Sequence, residues 1–208
     1  MEATVFIIDD DDAMRKSIGR LLRAEDIRSE SFSSARDYLA REHYDGVGCI
    51  LLDVNMPDIS GIELQAKLVD SGAELPIIFL TGYGNIPTSV EAMKRGALDF
   101  LTKPVDEADL LPAISQALAL HRSIREAACI RESIRKRLAS LTLRENEVML
   151  ELITGVPNKI VADRLKISVK TVKVHRASLL HKMGVRSVAE LVHLCHLVGK
   201  EPDSEAAS

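Results

Sequence analysis

Four short apolar runs each end on a polar side chain, and together those side chains have the composition of a metal-assisted phosphoryl site. Cys49-Ile50-Leu51-Leu52 stops at Asp53, and Val5-Phe6-Ile7-Ile8 stops at Asp9 and Asp10. Ile77-Ile78-Phe79-Leu80 stops at Thr81, and Phe100-Leu101-Thr102 stops at Lys103. Asp9 to Asp12 stand in a row, so bringing them near Asp53 sets up a repulsion that a hard divalent cation relieves. Mg²⁺ takes oxygen ligands, keeps several waters and usually accepts one or two carboxylates with phosphate oxygens. That chemistry makes Asp10 and Asp53 direct ligands, with Asp9 acting through water and the Asn55 backbone carbonyl as a further oxygen. Asp53 is also the best nucleophile toward phosphorus. The Lys103 ammonium neutralises phosphoryl oxygens, and the Thr81 hydroxyl donates to one of them. Taken singly these residues have plainer readings. An aspartate run serves helix N-caps, a role for Asp11 or Asp12; a lone Thr81 is a turn residue and a lone Lys103 a surface lysine. The coincidence at four strand ends carries the reading.

Such a site needs elements that bring strand ends to one edge. Strand-like segments at 4–8, 28–32 (the weakest), 48–52, 76–80 and 98–101 alternate with segments of helical spacing. Met14, Ile18, Leu21 and Leu22 mark the first helix, and Ile62, Leu64 and Leu68 the third. Ser34 caps the second helix, Pro87 fits the first turn of the fourth, and a fifth starts near Asp106 with Leu110, Leu111, Ile114 and Leu118. Five βα units with apolar strands predict a parallel sheet covered on both faces. Ligands then bind beyond the carboxyl ends of the strands, at the topological switch point.

The chain has 208 residues, 46% hydrophobic and 28% charged, which predicts a soluble globular protein. No apolar stretch approaches the roughly 18 residues of a membrane span, and no signal-peptide core follows the N-terminus. A cytoplasmic protein without a membrane partner is expected. Three scattered cysteines read as reduced thiols. The net charge of −4 hides an asymmetry, since residues 1–121 carry 21 acids and 11 bases (−10) and residues 122–208 carry 10 and 16 (+6). Two domains with different partners follow from that split.

Residues 122–140 stay helical in pattern without Gly or Pro, with Ile130, Ile134 and Leu138 as a narrow apolar stripe. This predicts an exposed, semi-rigid helical linker able to pair with a second copy. After it the pattern is wholly helical over 141–200. Thr142-Leu143-Arg144-Glu145 is a capping box opening a helix that Gly155 ends; further helices are expected at 158–165, 168–183 and 187–198. The tail 201–208 is expected to be disordered. Residues 158–183 have the size of a helix-turn-helix. At about 100° per residue, Lys170, Lys173, Val174, Ala177 and His181 share one arc, while Val172, Leu179 and Met183 lie opposite with Arg176 beside them. Lysines on that arc reach phosphates or guanine edges, Val174 a thymine methyl, and His175 and Arg176 the backbone. The same spacing also suits a solvated basic face.

The motifs extend beyond these positions. Residues 1–120 resemble the receiver domain of two-component response regulators throughout: Ile8-Asp9-Asp10-Asp11, Leu52-Asp53 through Gly61, Leu80-Thr81-Gly82, Ala92-Met93-Lys94-Arg95-Gly96-Ala97, and Phe100 through Pro104. The resemblance implies a doubly wound five-stranded sheet of order 2-1-3-4-5 in a receiver domain spanning 1–121. It implies that Asp53 takes a phosphoryl group from a phosphohistidine on a sensor histidine kinase. Thr81 and Phe100 are then the switch pair, Lys103 contacts the phosphate, and a cis peptide precedes Pro104. Leu141 through Leu194 is similar to the four-helix output domain of the NarL/LuxR type, through Gly155, Asn158-Lys159, Ala162, Leu165, Ile167-Ser168, Thr171 to His175 and Lys182. With Tyr83, Asn85 and Pro87 in the receiver, the whole resembles the FixJ branch of that subfamily. This implies a transcription factor, not an enzyme, whose DNA contacts draw on Lys159, Lys170, Thr171, Lys173, Val174, His175, Arg176 and Lys182. Its implied partners are promoter DNA, RNA polymerase and, on phosphorylation, a second copy joined through the surface at about 86–101, with Leu191, Leu194 and Val198 as a further dimer contact. Pro157 stands where the family usually has a Ser cap, Ile160 where it has Glu, and Tyr83 and Asn85 where His and Asp are common. Ala177 replaces a larger polar residue, so operator preference does not carry across. Two rivals remain. A haloacid-dehalogenase-like phosphohydrolase needs a second Asp where Asn55 stands. A phosphorylation-independent DNA-binding protein would use its receiver only to dimerise, which the intact Asp9, Asp10, Asp53, Thr81 and Lys103 argue against.

Overall fold

The computed structural model describes residues 3–82 and 93–200, which fall into two compact units divided between Glu126 and Ala127. The expected fourth helix up to residue 92, Pro87 included, and the tail 201–208 lie outside the described residues. No helix among those described is long and apolar enough to cross a membrane.

The first unit is a parallel sheet of β1 (Thr4–Ile8), β2 (Arg28–Phe32), β3 (Gly48–Asp53), β4 (Ile77–Thr81) and β5 (Asp99–Thr102), in the order β2-β1-β3-β4-β5. Its helices are α1 (Asp12–Ala24), α2 (Ala35–Ala40), α3 (Gly61–Asp70) and the first part of α4 (Glu107–Ala139). Every residue of β1, β3 and β4 is buried, as expected for parallel strands covered on both faces. Alternate residues feed two cores. Phe6, Ile8, Ile50, Leu52 and Phe79 meet Tyr38 of α2 and Leu64 and Leu68 of α3. Val5, Ile7, Leu51, Ile78 and Leu80 meet Ile18 and Leu22 of α1 and Leu110, Ile114 and Ala117 of α4. The sheet order is the one the sequence implied. It puts the reversal of direction between β1 and β3, the crevice where such sheets hold ligands. Asp11 is the N-cap of α1, accepting the N–H groups of Ala13 and Met14, while Ser34 caps α2.

The second unit contains α5 (Leu143–Ile153), α6 (Asn158–Leu165), α7 (Val169–Met183) and α8 (Val188–Leu197). Val148, Met149, Leu152, Val161, Val172, Leu179, Met183 and Leu191 form its core. Two expectations need correction here. Ile134 is buried in this core and Leu138 packs on it, whereas only Ile130 of the apolar stripe stays exposed. The last turns of α4 therefore serve as a wall of the second unit, and Arg137 donates to the Met183 carbonyl at 3.0 Å. A seam for self-pairing along 122–140 loses two of its three apolar residues. Leu191, expected at a dimer contact, is fully buried, and Leu194 and Val198 pack on the same core. One turn apart, Leu191 and Cys195 hold α8 against its own domain.

Candidate phosphoryl site and nucleic-acid face

The register Ile8↔Leu52 sets the end of β1 beside the end of β3, so Asp9 and Asp53 become neighbours. Asp9 is wholly buried, Asp53 nearly so, and Asp10 is open to solvent. Carboxylate oxygens of Asp9, Asp10 and Asp53 all lie within 4.8 Å of one another. Asp9 uses both of its oxygens: Oδ1 accepts the Asp11 N–H at 2.9 Å and Oδ2 accepts Lys103 Nζ at 2.7 Å. Lys103 Nζ also lies 3.1 Å from Asp53 Oδ1. One ammonium thus bridges two buried carboxylates contributed from different strands.

Opposing effects act on Asp53. Burial is the largest and pushes its carboxyl above the ordinary value; the Lys103 hydrogen bond pulls it down, the Asp9 charge pushes it up, and the Asn55 N–H pulls it down, leaving a net rise. Burial works against the Lys103 ammonium too, but its hydrogen bonds to Asp9 and Asp53 prevail and hold its proton more tightly than usual. Donors that are all hard oxygens, closely spaced and open on the Asp10 side, fit a hydrated Mg²⁺.

The backbone around the pocket is shaped to match. Gly61 donates its N–H to the Val54 carbonyl at 3.0 Å, and any Cβ there would run into the Asp53 carbonyl oxygen. Ser60 then opens α3 through a capping box with Glu63. Thr81 is buried at the end of β4, and its carbonyl accepts the Lys103 N–H at 2.8 Å just before the cis Lys103–Pro104 peptide. Phe100 is half-buried and stacks on Phe79, centroids 4.8 Å apart and planes at 19°. Asp53, Asp9, Asp10 and Lys103 are thus brought together, and Asn55 stays exposed two residues beyond Asp53, where its N–H helps to stabilise the Asp53 carboxylate.

On α7, Ser168 caps the first turn and Gly184, at φ 65°, ends the last. Val172, Leu179 and Met183 are fully buried, so the opposite arc faces outward. Lys170, Lys173, Val174, Ala177 and His181 are exposed on it, with Val174 at 61%. Lys159 is exposed on α6; Thr171 and His175 are half-buried. Two basic residues are tied within the domain. Arg176 donates to Asn158 Oδ1 at 3.2 Å, and Lys182 Nζ meets Glu145 Oε2 at 2.7 Å and the Ser140 carbonyl at 3.2 Å. Glu145 was legible only as half of a capping box. It also accepts the Ser178 hydroxyl at 2.6 Å, and the Lys182, Ser178 and Thr142 hydrogen bonds together hold its carboxyl down at about 2.

Residues 5–115 match the response regulator receiver domain family, and residues 139–195 match the luxR family of bacterial regulatory proteins. The chain is 42% identical to the response regulator protein TmoT of Ectopseudomonas mendocina over 93% of this chain and 88% of TmoT. It is 40% identical to the transcriptional regulatory protein FixJ of Azorhizobium caulinodans, over 97% and 96% respectively. Among solved structures it matches the response regulator StyR at a TM-score of 0.86 and 42% identity, covering 94% of this chain and 99% of that one. Full-length FixJ from B. japonicum matches at 0.56 and 37%, covering 94% and 97%. With a receiver sheet, its acidic pocket and a luxR-type helical domain in one chain, this protein belongs to the two-component response regulators of the FixJ branch, transcription factors that join a receiver to a DNA-binding domain.

Proposed function

We propose that this response regulator is switched by transfer of a phosphoryl group to Asp53 from a phosphohistidine of a sensor histidine kinase. The observation that carries this reading is Lys103 Nζ held between Asp9 and Asp53 at the mouth of the sheet. An Asp53 oxygen attacks phosphorus in line as the phosphorus–nitrogen bond breaks, and the freed imidazole nitrogen takes up a proton. Lys103 turns from the carboxylates toward the arriving phosphoryl oxygens, and Thr81 donates its hydroxyl to one of them. Asp10 and Asp53, with Asp9 and the Asn55 carbonyl beside them, would hold a Mg²⁺, which would supply charge neutralisation at those same oxygens when bound. Phosphorylation brings negative charge and strong acceptors to the pocket. Thr81 follows the new acceptor, Phe100 settles further against Phe79, and the surface expected at about 86–101, part of it outside the described residues, becomes competent to dimerise.

The dimer places two α7 helices in successive major grooves of promoter DNA, on a roughly palindromic site in the cytoplasm, where RNA polymerase is the further partner. Lys159, Lys170, Thr171, Lys173, Val174, His175 and Arg176 face the duplex, and Lys182 joins them only at the cost of its Glu145 contact. Hydrolytic turnover is disfavoured because Asn55 stands where a haloacid-dehalogenase-like enzyme has its second Asp. Incubation with acetyl phosphate and Mg²⁺, followed by mass spectrometry, is expected to add one phosphoryl group to wild type and none to Asp53→Asn. Operator affinity is expected to rise on phosphorylation of wild type only. Equal operator binding by both proteins, with and without phosphodonor, would instead make the receiver a mere dimerisation module.

A further inference from the structure

The weakest strand of the sheet has its alternation reversed, and the reversal opens a cleft. Register with β1 sets Ser29 beside Val5 and Ser31 beside Ile7, on the sheet face that α1 covers. An edge strand packed under a helix ordinarily turns apolar side chains to that face. Here two hydroxyls take those positions, and Glu30 goes to the opposite face beside Phe6. Above them α1 presents Gly19, where an added Cβ would meet nothing within 4 Å. The result is an open cleft of about 370 Å³ between α1 and β2.

Its charge is unlike that of the unit around it. The lining includes Arg15, Lys16, Arg20 and Arg23 against a single carboxylate, Asp12, in a segment whose net charge is −10. Asp12 is already shared by Arg15 at 3.1 Å and Lys16 at 2.6 Å, and the Lys16 pair is well exposed. Arg15 is mostly buried and also donates to the Asp9 carbonyl at 2.7 Å, so it is a fixed wall. The side chains of Arg20 and Arg23, among the described residues, make no hydrogen bond or ion pair. Three apart on a helix, they rise on one side of the cleft, with the serine hydroxyls on the other.

We propose that this cleft is a binding site for a small, multiply charged phosphate-type oxyanion, separate from the Asp53 pocket. Arg20 and Arg23 take its oxygens through charge-assisted forks, Lys16 adds a point charge, and Ser29 and Ser31 donate from the floor. The fit is chemical: convergent cations, neutral donors and room for a compact ligand, in a lining to which no apolar side chain contributes.

Inorganic pyrophosphate is the probe, titrated into the isotope-labelled full chain in metal-free, low-salt buffer so that the Asp9–Asp10–Asp53 carboxylates repel it. Saturable shifts are expected at the amides of Gly19, Ser29 and Ser31. Arg20→Gln with Arg23→Gln should weaken them at least ~10-fold, since each charged hydrogen bond lost is worth about one order of magnitude in affinity. Ser29→Ala with Ser31→Ala, which leaves every charge in place, should weaken them by a smaller factor. Asp53→Asn should leave them unchanged. Absence of saturable shifts at these amides, equal affinity in the arginine variant, or shifts confined to Lys170 and Lys173 on α7 would each overturn the proposal.

Discussion

Lys103 is the residue on which the pocket's electrostatics turn, because among the described residues its ammonium is the cation paired with both the buried Asp9 and the buried Asp53. Removing one partner of such a cluster leaves uncompensated buried charge. Lys103→Ala is expected to raise the Asp53 carboxyl further and to slow phosphorylation by acetyl phosphate about a hundredfold to a thousandfold, as loss of a charge-stabilising donor does. Near-wild-type circular dichroism with that slowed rate is the expected pair of results; an unchanged rate would remove Lys103 from the chemistry. Gly61 matters for a different reason. Its place is steric, against the Asp53 carbonyl, so Gly61→Ala should shift the loop carrying Asp53 and cost about 1–3 kcal/mol by denaturant unfolding. The charged groups were legible in the sequence because apolar parallel strands announce where they end. The roles of Arg15, which holds the Asp9 carbonyl, and of Arg125, which reaches the Asp45 carboxylate at 2.7 Å, were not legible. Each depends on where one side chain of a polar helix happens to arrive, and no spacing records that.

At the scale of elements, period-2 and period-3.6 patterns located nearly every strand and helix, yet they left open which surface each helix would meet. Ile130, Ile134 and Leu138 read as an exposed stripe able to pair with a second copy, and burial of Ile134 makes that end of the stripe a wall of the second unit instead. Ile134→Ala should therefore destabilise the second unit by about 2–4 kcal/mol, the usual cost of emptying a buried isoleucine site. A cost below about 0.5 kcal/mol would return that residue to the linker surface. Glu145 joins the α5 N-terminus to α7 across 37 residues through Lys182, a separation that no local motif encodes. Because its folded carboxyl sits at about 2 against an ordinary 4.5, its contribution is fully present above pH 4.5. That contribution fades as pH falls toward 2, where the folded form takes up its proton as well. Denaturant unfolding of wild type and Glu145→Gln should differ by about 1–3 kcal/mol at neutral pH, and the gap should close on the acid side of 4.5.

For the whole molecule the governing quantity is the division of charge, −10 in residues 1–121 and +6 in residues 122–208. The net positive charge lies in residues 122–208, so the exposed lysines of α6 and α7 are the expected source of DNA affinity, and they are few. Arg176 and Lys182 are held by Asn158 and Glu145, which leaves Lys159, Lys170 and Lys173 as the free cations among the residues expected to face the duplex. Each phosphate contact contributes about −0.9 to the slope of log affinity against log salt on duplex DNA. Lys173→Ala should then make the slope shallower by about 0.9 per protomer, or about 1.8 for a bound dimer, if its target is a phosphate. If Lys173 reads a guanine edge, the loss is instead sequence-specific, about 1–3 kcal/mol on the operator and small on unrelated DNA. Val174→Ala separates cleanly from both, because an exposed apolar side chain carries no counterion term: the salt slope should stay fixed while discrimination of thymine from uracil at one operator position disappears. Measuring the two variants over a salt series on operator and random duplexes assigns each side chain to positioning or to reading. Identical slopes and affinities for both variants and wild type would mean that α7 is not the face that meets DNA.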